Sequence, residues 1–370
     1  MWAWGIDGGN RSFSLGLGHG TEIGERMTTG IKRLAAALVI LAITCGPTLA
    51  GPALLFDANA GTVLYAEDVD QVWHPASLTK LMTAYLAFKA LKEGRLKPDQ
   101  ELTVDDTCFK MAPSRLGLKV GEKITAELAL KAMVVKSAND MAVLISEAIG
   151  GSEAGFAEMM NAEAQRLGMK NTHYANASGL PNDAQLTSAR DLAILTEALI
   201  KDYPEEAYLY ALTSVKVGKI EVETHNTLLK TYEGADGMKT GFICDSGYNI
   251  VASATRDGHR LVAIVLGEQS SASRNVRAAA MLDYGFQNYL WRTMFNDQTI
   301  ATVPAAPTDT ATAASIRKDV ASCVEHHFKA RHRRKVAKGK GEAMPPDPTV
   351  GSDGPEGPAP AAKPGTTASN

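Results

Sequence analysis

Hydrophobic positions change their period along this chain, and the changes divide it. Leu54-Leu55-Phe56 and Thr62-Val63-Leu64-Tyr65 flank Asn59-Ala60-Gly61, the pattern of a strand, a tight turn and a second strand. Residues 81–91 are apolar on nearly every side, which marks a helix buried in a core, with Gly94 as its stop. Helical spacing then dominates to about residue 203, over 126–136, 140–149, 154–167 and 189–201, each run ending near a glycine, a serine or Pro204. Strand patterns return at 215–224, 237–243, 249–255 and 260–266, with Asp257-Gly258 as a hairpin turn between the last two. A closing helix over 273–289 carries Val276, Ala279, Ala280, Leu282, Tyr284 and Phe286. Strands at both ends of the sequence with helices between predict an α+β fold: one antiparallel sheet built from distant segments beside a helical cluster. No internal repeat is evident.

The ends follow other rules. Residues 1–26 lack periodicity and read as a mis-assigned start or an unstructured extension. Met27 opens a secretory signal: Lys32 and Arg33, an apolar run from Leu34 to Ile43, and Thr48-Leu49-Ala50 as a small-residue cleavage site. The run is short for a membrane span, so the mature chain is expected to begin at Gly51, in a periplasmic or envelope setting. The folded domain is expected over 51–292. An Ala/Thr/Pro-rich, mostly disordered tail is expected over 293–370. Within that tail lie a basic run (Lys329, Arg331, Arg333, Arg334, Lys335, Lys338, Lys340) and, at helical spacing, Ile316, Val320, Cys323, Val324 and Phe328. Contact of this tail with an anionic membrane or wall polymer is the sharper alternative to plain disorder.

Composition narrows the function classes. An apolar fraction of 45% supports a large core, and a formal charge of −3 gives no sign of a nucleic-acid partner. Cys108, Cys244 and Cys323 would survive signal cleavage; an odd number without metal-site spacing reads as buried or incidental thiols. His74, His173, His225 and His259 are scattered and read as structural or surface residues. No metal and no cofactor is expected.

The candidate chemistry begins at His74-Pro75-Ala76-Ser77-Leu78-Thr79-Lys80. On a helix, residues three apart share a face, so the Lys80 amine can reach the Ser77 hydroxyl. A lysine held away from water can lose its proton near neutral pH and serve as the base that activates a serine. A Ser-x-x-Lys occurs by chance roughly once in a chain this long, and Ser315-Ile316-Arg317-Lys318 is such a decoy. Partners therefore decide. Ser137-Ala138-Asn139 sits between two helical segments, and Lys239-Thr240-Gly241 lies on a late strand. Ser273-Arg274-Asn275 repeats the second pattern as another decoy, after the Lys-Thr-Gly. One set alone has the order Ser-x-x-Lys, Ser-x-Asn, Lys-Thr-Gly.

That ordered trio resembles the serine-type D-alanyl-D-alanine carboxypeptidases, low-molecular-mass penicillin-binding proteins. The likeness covers about Leu54 to Leu290 and includes the blocks 114–122, Ser137 to Asp140, Asn176-Ala177-Ser178-Gly179-Leu180, and Gly234 through Asn249. It implies a β-lactamase/transpeptidase-like fold and removal of the terminal D-alanine from peptidoglycan stem peptides through an acyl-enzyme. It also implies β-lactam antibiotics as covalent inhibitors. Ser77 would be the nucleophile, Lys80 its base and Ser137 a proton carrier. Asn139, Lys239, Thr240 and Gly241 would bind substrate, and the backbone N–H groups of Ser77 and Phe242 would form the oxyanion hole. Asp236, beside Gly237, reads as turn chemistry.

Three alternatives remain at this point. A D,D-endopeptidase cutting cross-links uses the same residues. A class A-like β-lactamase would need a Glu-x-x-x-Asn loop, and residues 173–180 hold Asn176 without that glutamate. A non-catalytic wall-binding protein would have little use for intact Ser77, Lys80, Ser137 and Lys239. In one respect the chain departs from the family: residues 291–370 show no alternating strand runs, where many members carry a β-rich second domain and an amphipathic anchor.

Overall fold

The structure, a computed structural model, describes residues 51–295 and 297–305. They belong to one of two units into which the chain divides, Gly51–Asn370. The extension 1–26, the signal segment 27–50 and the tail beyond 305, with Cys323 and the basic run, lie outside the described residues.

The strands in chain order are β1 (Ala53–Asp57), β2 (Val63–Glu67), β3 (Glu101–Thr103), β4 (Lys123–Thr125), β5 (Ser214–Val217), β6 (Ile220–Glu223), β7 (Ala235–Ile243), β8 (Gly247–Arg256) and β9 (His259–Glu268). The longer helices are α1 (Lys80–Lys92), α2 (Ala126–Val135), α3 (Asn139–Gly150), α4 (Glu153–Leu167), α5 (Ala189–Asp202), α6 (Ser271–Gln287) and α7 (Tyr289–Phe295). Five strands form one antiparallel sheet in the order β2-β1-β9-β8-β7, so the first strand lies beside the last. The α+β expectation holds.

Both faces of this sheet are covered, which explains why its strands read as nearly continuous apolar runs. Along β9, Val262, Ile264 and Leu266 face the core made with α1 through α5, while Leu261, Ala263 and Val265 face α6 through Ala278, Met281 and Leu282. The two-residue period of a strand sends alternate side chains to opposite layers. Helix ends follow their local chemistry: Thr125, Ser152 and Ser188 cap α2, α4 and α5, and Ser270 with Ser273 makes a capping box on α6.

The structure differs from the sequence reading in four places. Residues 215–224 are the hairpin β5–β6 rather than one strand. β3 and β4, three residues each, pair into a ribbon too short to leave a periodic signal. The folded domain runs past residue 292: Thr299 bridges to Thr62, Ile300 and Val303 are buried, and Arg190 donates to the carbonyls of both. Asp236 does not shape a turn. Its carboxylate accepts from Ser253 and Thr255 and pairs with Arg260 at 3.2 Å, clamping β7, β8 and β9 together. No helix among the described residues is long and apolar enough to cross a membrane.

Candidate active site

Ser77 lies in a short 3₁₀ turn, Ala76–Thr79, that feeds directly into α1 at Lys80. The three-residue spacing does what the sequence predicted: Lys80 Nζ is 3.0 Å from Ser77 Oγ. The ammonium also donates to Asn139 Oδ1 at 2.7 Å and to the Ser178 carbonyl. Lys80 is fully buried, and burial holds it well below the usual lysine range, helped by the charge of Lys239 and opposed by Asp140 and Glu153. Burial thus favours the neutral amine, within reach of the hydroxyl.

Across the site stands a second pair. Lys239 Nζ is 2.9 Å from Ser137 Oγ and 3.0 Å from the Thr240 carbonyl. Burial, then the guanidinium of Arg274, lower Lys239 to about 7. Asn139 joins the two pairs, since its Oδ1 takes Lys80 while its Nδ2 donates to Ala112 O at 2.8 Å. Ser77, Lys80, Ser137, Asn139 and Lys239 thus come together from segments 59 and more positions apart.

The backbone is shaped around these contacts. Ala76, just before Ser77, and Ser137, the serine paired with Lys239, hold positive φ of 50° and 60° without being glycine. Such conformations cost about 1–3 kcal/mol each and concentrate at functional sites. Surrounding hydrogen bonds hold them: Asn249 Nδ2 reaches His74 O at 3.0 Å, and Ser114 Oγ reaches Lys136 O at 2.8 Å. Asp140 accepts from the N–H groups of Leu116 and Gly117, fixing the 114–122 segment beside the cleft. Gly241 has a steric role. A Cβ there would stand 3.0 Å from both Pro75 O and Ser77 N, tighter than most Cβ contacts, so glycine lets β7 lie against the Ser77 backbone without displacing it.

Sequence reasoning missed Arg274 by setting aside Ser273-Arg274-Asn275 as a decoy. Its side chain is buried on α6, close enough to depress Lys239, and burial lowers its own pKa to about 10. Neither Lys239 nor Arg274 makes an ion pair among the described residues. Two buried cations without a carboxylate are expensive unless an anion visits them. Gln185 was missed as well; it ties Thr79 Oγ1 to the 175–176 backbone and so braces the nucleophile turn.

Other clusters are self-satisfied. Asp105, Cys108 and Glu147 bring possible metal ligands within 4.8 Å of one another. Asp105 is already a helix cap for Cys108 N, and the Cys108 thiol, pushed up by burial, donates to Glu147. A basic hollow at the far end of α1, near Lys89, Arg166 and Lys201, has those cations matched by Glu163 and Glu197.

A serine activated by a buried lysine, faced by a second serine–lysine pair over a five-stranded antiparallel sheet, defines the penicillin-recognising class of serine enzymes. Residues 45–270 match the Peptidase_S11 D-alanyl-D-alanine carboxypeptidase family, and the chain belongs to that family. It is 34% identical over 260 residues to the D-alanyl-D-alanine carboxypeptidase DacF of Bacillus subtilis, covering 68% of this chain and 66% of that one. Identity to DacD of Escherichia coli is 37% over 248 residues, covering 65% and 64% respectively. The chain thus spans slightly less than two thirds of these relatives. Among solved structures, penicillin binding protein 5 of Haemophilus influenzae superposes with a TM-score of 0.63 at 35% identity, over 65% of this chain and 71% of that one. The ampicillin-bound penicillin-binding protein D2 of Listeria monocytogenes superposes with a TM-score of 0.58 at 31% identity, over 64% and 97%.

Proposed function

We propose that the chain is a serine D,D-carboxypeptidase that removes the terminal D-alanine from peptidoglycan stem peptides. The observation that carries the reading is the double pair: Lys80 3.0 Å from Ser77, and Lys239 2.9 Å from Ser137. Neutral Lys80 takes the Ser77 proton as Oγ attacks the carbonyl between the last two residues. The oxyanion that forms is held by the N–H groups of Ser77 and Phe242, where losing one donor typically costs ~10²–10³ in rate. Ser137 passes a proton to the departing amine, with Lys239 supporting the transfer. Water then releases the acyl group from Ser77.

The free carboxylate of the leaving residue is received by Lys239, Thr240 and Arg274. This use of a terminal carboxylate favours an exopeptidase, because a buried cation pair is best offset by a unit charge. β-Lactams, which carry a comparable carboxylate, are expected to acylate Ser77 and leave slowly. The carboxylates that face Lys80 are Asp140 and Glu153, and both already accept backbone N–H groups, from Leu116, Gly117 and Ala177. Neither is free to activate a deacylating water.

The setting we propose is the cell envelope after export, with peripheral contact to an anionic membrane. Four large apolar side chains on α7, Leu290, Trp291, Met294 and Phe295, are exposed, and the basic run begins 34 residues after Phe295, at Lys329.

The test of the activity is release of D-alanine from diacetyl-L-Lys-D-Ala-D-Ala, with Ser77→Ala as control. Release is expected from the native chain and absent from the variant, and fluorescent penicillin should label the native chain alone. Release that persists in Ser77→Ala would remove the serine from the nucleophile role.

A further inference from the structure

The loop 176–180 lies against the nucleophile turn and is tied down from two helices. Ala177 N donates to Glu153 Oε1 on α4 at 3.0 Å, and Ala177 O accepts from Thr83 Oγ1 on α1 at 2.7 Å. Gly179 holds a φ of 82°, and a Cβ there would stand 1.9 Å from Ala76 O, so the loop can lie this close to the turn only with glycine. Within the loop one side chain does most of the tying. Asn176 Oδ1 accepts from Gly179 N at 2.7 Å, Ser178 N at 3.2 Å and Ser178 Oγ at 3.3 Å, while its Nδ2 donates to Leu180 O at 3.1 Å. Held this way, the loop presents the carbonyl of fully buried Ser178 to Lys80 Nζ.

Three oxygens surround that nitrogen: Ser77 Oγ, Asn139 Oδ1 and Ser178 O. A neutral amine offers them two N–H groups and one lone pair. A carbonyl oxygen can only accept, and the same holds for Asn139 Oδ1, whose amide is oriented by the bond from Nδ2 to Ala112 O. These two acceptors take the two N–H groups. The lone pair is left for the Ser77 hydroxyl, the one neighbour able to donate. As the proton crosses, the Ser77 O–H bond breaks and a third Lys80 N–H bond forms, and the ammonium then has one oxygen for each N–H.

We propose that Asn176 is a positioning residue for this transfer: by holding the Ser178 carbonyl against Lys80, it reserves the amine's lone pair for Ser77. The inference rests on the carboxypeptidase reading above and deepens it. Asn176 acts through the Ser178 carbonyl and not on the substrate. With that carbonyl turned away, an N–H of Lys80 is free to swing toward Ser77 Oγ, and the amine meets the hydroxyl as a donor in place of an acceptor. A misplacement of about 1 Å can cost roughly 10²-fold in rate. Loss of aim with the base retained is expected to slow acylation of Ser77 about tenfold to a hundredfold.

The experiment compares the native chain with Asn176→Ala and Asn176→Ser. Acylation is followed by stopped flow with saturating fluorescent penicillin. Binding of diacetyl-L-Lys-D-Ala-D-Ala is measured by calorimetry on the same chains carrying Ser77→Ala, which separates affinity from chemistry. Asn176→Ala is expected to lower the acylation rate constant about tenfold to a hundredfold while affinity stays within about twofold. Serine, a weaker acceptor for the same N–H groups, is expected to recover part of the loss. An unchanged acylation rate in Asn176→Ala overturns the inference and leaves the carboxypeptidase reading in place. A parallel loss of acylation and affinity, unrelieved by serine, assigns Asn176 to the shape of the cleft and overturns it too. Should Asn176→Ala fail to fold, Asn176→Ser decides alone: slower acylation at native affinity supports the inference, and native acylation overturns it. A native chain that penicillin does not acylate overturns both readings.

Discussion

Two lysines in one cleft need opposite charge states. Lys80 must be neutral to accept a proton, and Lys239 must be charged to hold a carboxylate. Burial depresses both, and the charge on Lys239 helps keep Lys80 neutral. The sign of the pH effect follows. With its pKa lowered to about 7, Lys239 is charged below that pH and loses its charge as pH rises through it. KM for the D-alanyl peptide is therefore expected to climb from pH 7 to pH 9 as the carboxylate loses a partner. Lys239→Arg keeps the charge over this range and should flatten the KM profile, at the cost of a lower kcat because arginine cannot exchange a proton with Ser137. Steady-state kinetics across that window check both outcomes; a KM that climbs equally in Lys239→Arg would detach the effect from this residue.

At the scale of elements, the last described segment is held by the first turn of α5. Arg190 grips Asp70 with two bonds, 2.6 and 2.9 Å, and donates to the carbonyls of Ile300 and Val303. Both ends of the pair are mostly buried. Arg190→Ala is expected to cost about 2–3 kcal/mol, or roughly 5–10 °C in Tm for a domain of this size. Trypsin should then cut near Arg292 sooner, while penicillin labelling of Ser77 at low temperature stays intact. Unchanged melting would show that the strap contributes nothing.

The elements also show what a sequence can carry. Ser77 and Lys80 were legible because a helical turn fixes their spacing, and the strand with Lys239 because its neighbours are apolar. Ser137, Asn139 and Gly241 were legible through their order along the chain. Arg274 was not, since its meaning comes from the charge that a distant element places beside it. An arginine in a Ser-x-Asn on an amphipathic helix looks like surface until α6 is laid on the sheet. The β3–β4 ribbon was invisible because three residues do not establish a period. The extent of the domain was misread because Ile300 and Val303 sit in an Ala/Thr/Pro-rich stretch whose composition resembles the tail after it.

For the molecule as a whole, α7 is the unusual surface. Leu290, Trp291, Met294 and Phe295 are 76%, 68%, 71% and 66% exposed, and the Trp291 and Phe295 rings lie 4.4 Å apart. Burying one such aromatic side chain is worth about 1.5–3 kcal/mol, and basic residues add about 1 kcal/mol each near an anionic surface. The chain without residues 1–50 is expected to sediment with vesicles containing anionic lipid. Trp291→Ala with Phe295→Ala should lower the bound fraction several-fold, and high salt should lower it further. Binding indifferent to the double substitution would exclude α7 as the contact.

The register that sets Ala53 opposite Val265 has a consequence for how the protein comes into being. Lys239 stands on β7, at one edge of a sheet whose last strand in the chain, β9, lies between β8 and β1, so β1 cannot join that sheet until β9 arrives. Pairing across some two hundred residues is slow to form. A chain broken off before that closure would hold Ser77, Lys80, Ser137 and Lys239 yet lack the strand that joins the two ends of the sheet, so the cleft is expected to assemble only after β9 has been made.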